Sequence, residues 1–125
     1  MIFIDTHLHL DERIVDSINK LSPNYGIIIG TDKQSNEEAI KFCMGKNNFF
    51  YTLGIHPSEA SNYSNSDLEF ILDNVSTSVA IGEIGLDYYW KNDNKEEQKE
   101  LFEKQIKIAI DNNKDSVKKA SEMIS

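Results

Sequence analysis

The three histidines of the chain, His7, His9 and His56, all lie where an apolar run ends. His7 and His9 alternate within the segment IDTHLHL, and His56 follows the apolar segment FFYTLGI. On an extended backbone, side chains two positions apart point to the same side, so His7 and His9 could bind one cation together. A His-x-His pair is a weak indication by itself. The alternative is that both imidazoles make ordinary hydrogen bonds in a loop.

Glu83 strengthens the indication of a metal site. It closes another apolar run, VAIGEIG, between Gly82 and Gly85. A carboxylate in such a place is costly to desolvate unless it is paired or bound to a metal ion. The glycines let backbone and ligand approach closely. A salt bridge across the mouth of the barrel is the alternative reading of Glu83.

The elements that must position these residues alternate along the chain. Short apolar runs typical of buried parallel strands alternate with segments of helical spacing. The predicted strands are MIFID, YGIIIGT, FFYTLGIHP and VAIGEIG. The predicted helices are DERIVDSINKL, DKQSNEEAIKFCMGK, a helix that starts at the capping box SDLE (Ser66), and residues 94–113, with a buried stripe of Leu101, Phe102, Ile106, Ala109 and Ile110.

Such alternation predicts an α/β fold with a parallel sheet and right-handed crossovers. Four β–α units are about half of an eight-fold TIM barrel, which usually has about 250 residues. We expect residues 1–125 to form one domain, the N-terminal half of such a barrel. In these folds the ligand site lies at the carboxyl ends of the strands, where the three histidines and Glu83 should meet.

Three further residues have predicted roles around this site. Asp5 precedes the two histidines, and it either fixes the orientation of an imidazole or accepts hydrogen bonds from loop N–H groups. His56 is expected to contact substrate or phosphate, with a structural loop histidine as the alternative. Asp87 is expected at the rim of the pocket, where it would contact substrate.

Composition narrows the classes of function. The 125-residue chain has a net charge of −8 and has no cluster of Lys and Arg, so it lacks the basic surface that follows a nucleic-acid backbone. A nucleic acid could be bound only locally, through metal ions. No apolar run approaches the roughly 20 residues of a membrane span, and the N-terminus lacks a signal peptide, so we expect a cytoplasmic protein. Cys43 is the single cysteine and is expected to be a buried, inert thiol.

Taken together, FIDTHLHLDE, GIHPSE and AIGEIGLDYYW, followed by a helix with Gln98, Phe102 and Gln105, resemble the TatD family of metal-dependent deoxyribonucleases. These are amidohydrolase-like hydrolases on a TIM barrel. The resemblance implies that His7, His9 and Glu83 bind one or two divalent ions, Mg²⁺, Mn²⁺ or Zn²⁺. It also implies hydrolysis of phosphodiester bonds of DNA from the 3′ end, with DNA or nucleotides as substrate. A bound cation of this kind activates water and stabilises charge on a phosphoryl oxygen.

The chain departs from the family pattern after Asn113. Family members continue into strands that carry two more histidines and an aspartate thought to act on water. Here no proline, histidine or arginine follows, so the catalytic aspartate is absent from this chain and the catalytic residue is unknown. The spacing of Val117, Ala120 and Ile124 predicts that DSVKKASEMIS is a helix and that the fifth strand is skipped. Segments of the barrel would then be missing, and unpaired edge strands predict self-association.

Two alternatives remain open from the sequence. The first keeps the metal site and changes the substrate to the C–N bond or ester of an amidohydrolase-type reaction. The second is a catalytically inactive half-barrel that assembles through its open edges. The GEIGLDYYW segment favours the nuclease over the first alternative, and metal binding would decide against the second.

Overall fold

The structure, a computed structural model, describes residues 4–8, 25–89 and 93–118. The strands and helices alternate along the described residues from Tyr25 onward. In order they are β1 (Ile4–Leu8), β2 (Tyr25–Ile29), α1 (Lys33–Cys43), β3 (Phe49–Leu53), α2 (Asn65–Asn74), β4 (Ala80–Ile84), α3 (Lys95–Asp111) and β5 (Asp115–Lys118). Two short 3-10 turns, Pro57–Glu59 and Val75–Thr77, flank α2.

The strands form a five-stranded sheet in the order β1-β2-β3-β4-β5, and every neighbouring pair is parallel. Sequential parallel strands joined through helices are the arrangement of the first units of a β/α barrel. The predicted α/β class is therefore confirmed. All five strands end at the same edge of the sheet, so the segments that follow them are brought side by side.

Helices cover the sheet and bury two groups of apolar side chains. The smaller group joins α1 to β2 and β3 through Ile28, Ala39, Cys43 and Phe49. The larger joins β3 and β4 to α2 and α3, and it contains Leu53, Ile55, Ile71, Ile81, Ile84, Leu101 and Ile108. Burial of each Ile, Leu or Phe side chain in these groups contributes about 1.5–3 kcal/mol. This packing fixes the helices against the strands whose ends carry the candidate site.

The thiol of Cys43 lies within the smaller group, as predicted. It is 8% exposed, and burial raises its pKa to about 11, although the charge of Lys46 acts in the opposite direction. A thiol with so high a pKa is almost entirely protonated at neutral pH, and the thiolate is the reactive form.

The prediction of a helix over DSVKKASEMIS is wrong at its start. Asp115–Lys118 forms β5, which pairs with Ala80, Ile81, Gly82 and Ile84 of β4. Four residues are too few for helical spacing to be decisive, and the hydrogen-bonding edge of β4 supplies partners that local propensity does not reveal. The fifth strand is therefore present rather than skipped. Residues 119–125 lie outside the described residues, as does the predicted helix DERIVDSINKL.

Two details of the predicted helices also differ. The second described helix begins at Asn65, not Ser66, because Ser64 is the N-cap and its N–H donates to Asp67 Oδ2 at 3.0 Å. The stripe predicted for α3 included Ile110, which is 69% exposed. The buried face of α3 instead contains Gln98, Leu101, Gln105, Ile108 and Ala109, because both glutamine amides find main-chain partners.

Within the described ranges, no helix combines the length and the apolar character that a membrane crossing requires.

Candidate active site

The carboxyl ends of β2, β3 and β4 are tied together by hydrogen bonds. Gly30 N–H donates to Thr52 O at 3.2 Å, and its carbonyl accepts from Glu83 N at 2.8 Å. The buried Thr52 hydroxyl donates to Gly82 O at 2.9 Å. These contacts hold the backbone at Glu83 from the ends of β2 and β3. The position of this residue is therefore set by the sheet itself.

Gly54 allows this convergence. A Cβ atom at this position would lie 2.5 Å from Gly82 C, 2.6 Å from Gly82 O and 2.9 Å from Glu83 N. All three neighbours are main-chain atoms, which cannot move aside as a flexible side chain can. The segment after β3 can therefore approach the Gly82–Glu83 peptide only because residue 54 has no side chain.

His56 and Glu83 meet at this edge. Their side chains are 16% and 17% exposed, and His56 Nε2 lies 3.8 Å from Glu83 Oε2. On the other side of the ring, Ser58 N–H donates to His56 Nδ1 at 3.1 Å, and the Ser58 hydroxyl lies 2.9 Å from the same atom. Because Nδ1 accepts, the proton of the neutral imidazole is on Nε2. His56 therefore presents an N–H donor beside the Glu83 carboxylate.

This tautomer bears on what the His56 ring could bind. A histidine that binds a metal ion does so through a nitrogen lone pair. In neutral His56 the Nδ1 lone pair is engaged by Ser58, and Nε2 carries the proton. The arrangement suits donation to an anionic oxygen better than coordination, in line with the predicted contact to substrate or phosphate.

Asp87 lies in the segment directly after β4 and is only 5% exposed. Its N–H donates to Gln98 Oε1 at 2.7 Å, and its carbonyl accepts from Gln98 Nε2 at 3.3 Å. Main-chain pairing to α3 thus fixes this residue four positions beyond Glu83.

The remaining predicted residues lie at the start of the chain. Asp5 is within β1, where it pairs with Gly26 of β2. His7 is also within β1, which extends beyond the predicted MIFID strand, so His7 lies inside the strand rather than after it. His9 lies outside the described residues. The structure brings His56 and Glu83 together, and the predicted ligand set as a whole is not tested by it.

The backbone shows one feature that the sequence did not reveal. The register of β1 against β2 shifts between Asp5 and Leu8, and that of β4 against β5 shifts between Gly82 and Ile84. His7 and Glu83 therefore both lie in segments where the ladder is interrupted by a bulge. Bulges are frequent beside active sites because they re-aim a side chain away from the regular alternation.

Three amide side chains, Asn36, Gln98 and Gln105, are fully buried, a role that the sequence analysis did not assign to them. Each pairs with the main chain of a segment that leaves a strand. Two glutamines seven positions apart, on the same face of α3 as the apolar residues Leu101 and Ile108, were a usable indication. Such a pair is costly to bury unless its amides are hydrogen-bonded.

The described part of the site fits a divalent cation incompletely. Among the described side chains, no group of three His, Cys, Asp or Glu residues stands close enough to hold a metal ion. Glu83 offers a carboxylate, a ligand that suits Mg²⁺, Mn²⁺ and Zn²⁺ alike. The imidazole of His56, with Nε2 at 3.8 Å from Glu83 Oε2, is beyond hydrogen-bonding distance. A metal ion at Glu83 requires further ligands, and β1 is the strand on which the sequence offers a histidine.

Comparison with known proteins places the chain in a family. Residues 4–117 match the family described as TatD related DNase. An uncharacterized metal-dependent hydrolase of Buchnera aphidicola subsp. Baizongia pistaciae is 38% identical over 122 residues, which cover 88% of this chain and 46% of that protein. The 3′-5′ ssDNA/RNA exonuclease TatD of Escherichia coli (strain K12) is 33% identical over 89 residues, 70% of this chain and 34% of that protein.

Among solved structures, that of YJJV, a TatD homolog from Escherichia coli k12, aligns with a TM-score of 0.79 at 25% identity. The alignment covers 91% of this chain and 49% of that one. The chain thus spans about half the length of the relatives it matches. The matched residues include all five strands and the segments that follow the first four. This chain belongs to the TatD family.

Proposed function

We propose that the chain contributes the N-terminal half of a barrel-shaped metal-dependent hydrolase that cleaves phosphodiester bonds of DNA, releasing nucleotides from the 3′ end. His7, His9 and Glu83 bind one or two divalent ions. His56 and Asp87 contact the nucleic acid, and Asp5 orients a ligand imidazole. The domain is residues 1–125, and no catalytic aspartate is assigned.

The observation that supports this proposal most directly is the proximity of the Glu83 carboxylate to the Nε2–H donor of His56. Glu83 is held by the Gly30 carbonyl at the meeting point of three strands. His56 Nε2–H faces the same point from 3.8 Å. In such an arrangement the carboxylate can bind a cation while the N–H donates to a phosphate oxygen. Hydrolysis of a phosphodiester with the help of a metal ion uses both contacts. A bound divalent ion would supply an activated water and neutralise charge on the phosphoryl group.

The acidic surface is consistent with such a site. With a net charge of −8 the chain repels a phosphate backbone at long range, so the attraction must come from the site itself. The names of relatives point the same way, since one of them is a 3′-5′ ssDNA/RNA exonuclease and another a metal-dependent hydrolase.

The proposal is tested with the purified chain, Mg²⁺, Mn²⁺ or Zn²⁺, and single-stranded DNA labelled at its 5′ end. We expect stepwise shortening that a chelator stops, and a loss of about 10²-fold or more in Glu83→Gln, because the amide keeps the shape and removes the charge. Glu100→Gln is the matched control, since Glu100 is exposed on α3 and pairs with Lys104. Its rate should equal that of the wild type.

Three measurements separate the alternatives: cleavage of DNA, turnover of amide and ester substrates, and binding of Mn²⁺, which is measured through the electron paramagnetic resonance signal of the free ion. Unchanged DNA cleavage in Glu83→Gln contradicts the proposal. Turnover of amide or ester substrates without cleavage of DNA identifies an amidohydrolase-type enzyme. Absence of Mn²⁺ binding at micromolar concentration identifies an inactive half-barrel, whose self-association is then measured by sedimentation.

A further inference from the structure

Helix α3 carries two glutamines that are 0% exposed, and each makes two hydrogen bonds to the main chain of one residue in another segment. Gln105 Oε1 accepts from Ile55 N–H at 2.7 Å, and Gln105 Nε2 donates to Ile55 O at 2.9 Å. Gln98 makes the same two bonds to Asp87, at 2.7 and 3.3 Å. We call these two pairs the amide clamps.

A clamp of this kind works because a side-chain amide has the same donor and acceptor as a peptide group. The glutamine therefore takes the place of a neighbouring strand where β3 and β4 have already ended. Two parallel bonds fix the rotation of the clamped residue as well as its position. Without them, a buried N–H and a buried C=O would each lose this hydrogen bond, which costs free energy in the interior.

The clamp at Asp87 is itself held in place. Gln98 Nε2 also donates to Asn94 Oδ1 at 2.8 Å, and Asn94 Nδ2 donates to Ser61 Oγ at 2.8 Å. This chain of bonds connects the segment after β4, the start of α3 and the loop before α2. A network in which each member is satisfied restricts the rotation of every side chain in it.

The clamped residues lead directly to the candidate substrate contacts. Ile55 immediately precedes His56, and Asp87 is itself one of the contacts. Gln98 and Gln105 are seven positions apart, about two turns, so both project from one face of the same helix. A single rigid element thereby sets the segments after β3 and β4 relative to each other.

We propose that Gln98 and Gln105 are positioning residues, which place Asp87 and His56 for contact with the substrate. This inference rests on the proposed function for the identity of the substrate, and on the hydrogen bonds alone for the positioning. The two glutamines do not touch the reacting atoms; they act through the main chain of the residues that do.

The first test separates positioning from stability. Gln98→Met and Gln105→Met keep the length of the side chain and remove both bonds of a clamp. Ile108→Ala, on the same helix, is the control variant: it lowers the melting temperature by removing part of a core side chain and leaves both clamps in place. For cleavage of single-stranded DNA we expect KM to rise about tenfold in each Met variant, the effect of about one lost hydrogen bond, with kcat within twofold. A merely structural role lowers kcat through the folded fraction and leaves KM unchanged, as in Ile108→Ala, and that result would overturn the inference.

The second test is a double-mutant cycle. If Gln105 acts through His56, adding Gln105→Met to His56→Ala should raise KM by less than twofold further. The same should hold when Gln98→Met is added to Asp87→Asn. Additive effects in both cycles contradict the positioning role.

If the wild type cleaves no DNA with any of the three metals, the proposed function is refuted. Hydrogen exchange then tests the positioning role by itself. His56 N–H donates to Thr31 O at 2.8 Å, one residue beyond the clamp. Gln105→Met should accelerate exchange of the His56 amide at least tenfold more than Ile108→Ala does. Equal exchange in the two variants overturns the inference whether or not the protein is a nuclease.

Discussion

Replacement of Gly54 by alanine tests the geometry of the strand ends. The new Cβ would lie 2.5 Å from Gly82 C, whereas ordinary contact begins at 3.4 Å, so the two segments must separate by about 0.9 Å at this point. Glu83 N would start 2.9 Å from the same atom, so it moves in the same displacement. Overpacking of this kind costs about 1–3 kcal/mol of stability.

The effect on activity should exceed the effect on folding. A misplacement of about 1 Å can lower a rate by about 10²-fold, because reacting groups must be held close to their productive geometry. We therefore expect Gly54→Ala to lose about 10²-fold in kcat/KM for metal-dependent DNA cleavage while remaining folded at 25 °C. Thermal melting and cleavage of single-stranded DNA with Mn²⁺ are measured on the same preparation.

Gly45→Ala is the matched control. Gly45 has a φ of 77°, and a Cβ there would meet nothing within 4 Å. Alanine is strained in this conformation by about 1–2 kcal/mol, so stability falls by a similar amount without any crowding. Its kcat/KM should match that of the wild type. Wild-type activity in Gly54→Ala, or equal losses in the two variants, would refute the link between the close approach at Gly54 and the placement of Glu83.

Three further outcomes are expected. Asn36→Leu removes both bonds to the main chain of Gly54, at 3.0 and 3.2 Å, and should lower the free energy of unfolding in urea by about 2–5 kcal/mol. Native Cys43 should react with iodoacetamide at pH 8 at least 10²-fold more slowly than in the denatured chain, because its pKa is raised from 9.0 to about 11; comparable rates would show that the thiol is accessible and ionised. Lys104→Met should cost less than about 1 kcal/mol, since Lys104 pairs at the surface with Tyr63 and Glu100. These contacts raise the pKa of Lys104, so its contribution to the free energy of unfolding is complete below about pH 10.5 and is lost as the pH rises above that value. Urea titrations of the wild type and Lys104→Met at pH 9 and 11.5 measure this difference.

The sequence predicted the parts of the fold that depend on pattern. Apolar runs of about five residues between helical segments were sufficient for β2, β3 and β4, and for the placement of Glu83 at a strand end. β5 was missed because DSVK has no strand pattern of its own and pairs with an edge that only the assembled sheet provides. Strand ends were uncertain by a few residues, which is why His7 was placed after β1 rather than within it.

The residue types of the candidate site could be predicted from the sequence, but the backbone contacts that hold them in place could not. Histidines and a glutamate at strand ends indicated the chemistry, and the structure brings His56 Nε2 to 3.8 Å from Glu83 Oε2. The bulges at the segments of His7 and Glu83, the crowding at Gly54 and the amide clamps were not foreseen. Each depends on which backbone atoms of distant segments come into contact, and a single sequence does not specify such contacts.

The amide clamps recognise main-chain atoms, and this has a consequence for the evolution of the protein. Gln98 bonds to the N–H and C=O of Asp87, groups that almost every amino acid possesses. A mutation at position 87 can therefore alter the chemical character of the site while the hydrogen bonds from α3 keep the backbone of the loop in the same path. Shape and specificity are encoded at separate positions, so natural variation or a directed library can explore one without first having to rediscover the other.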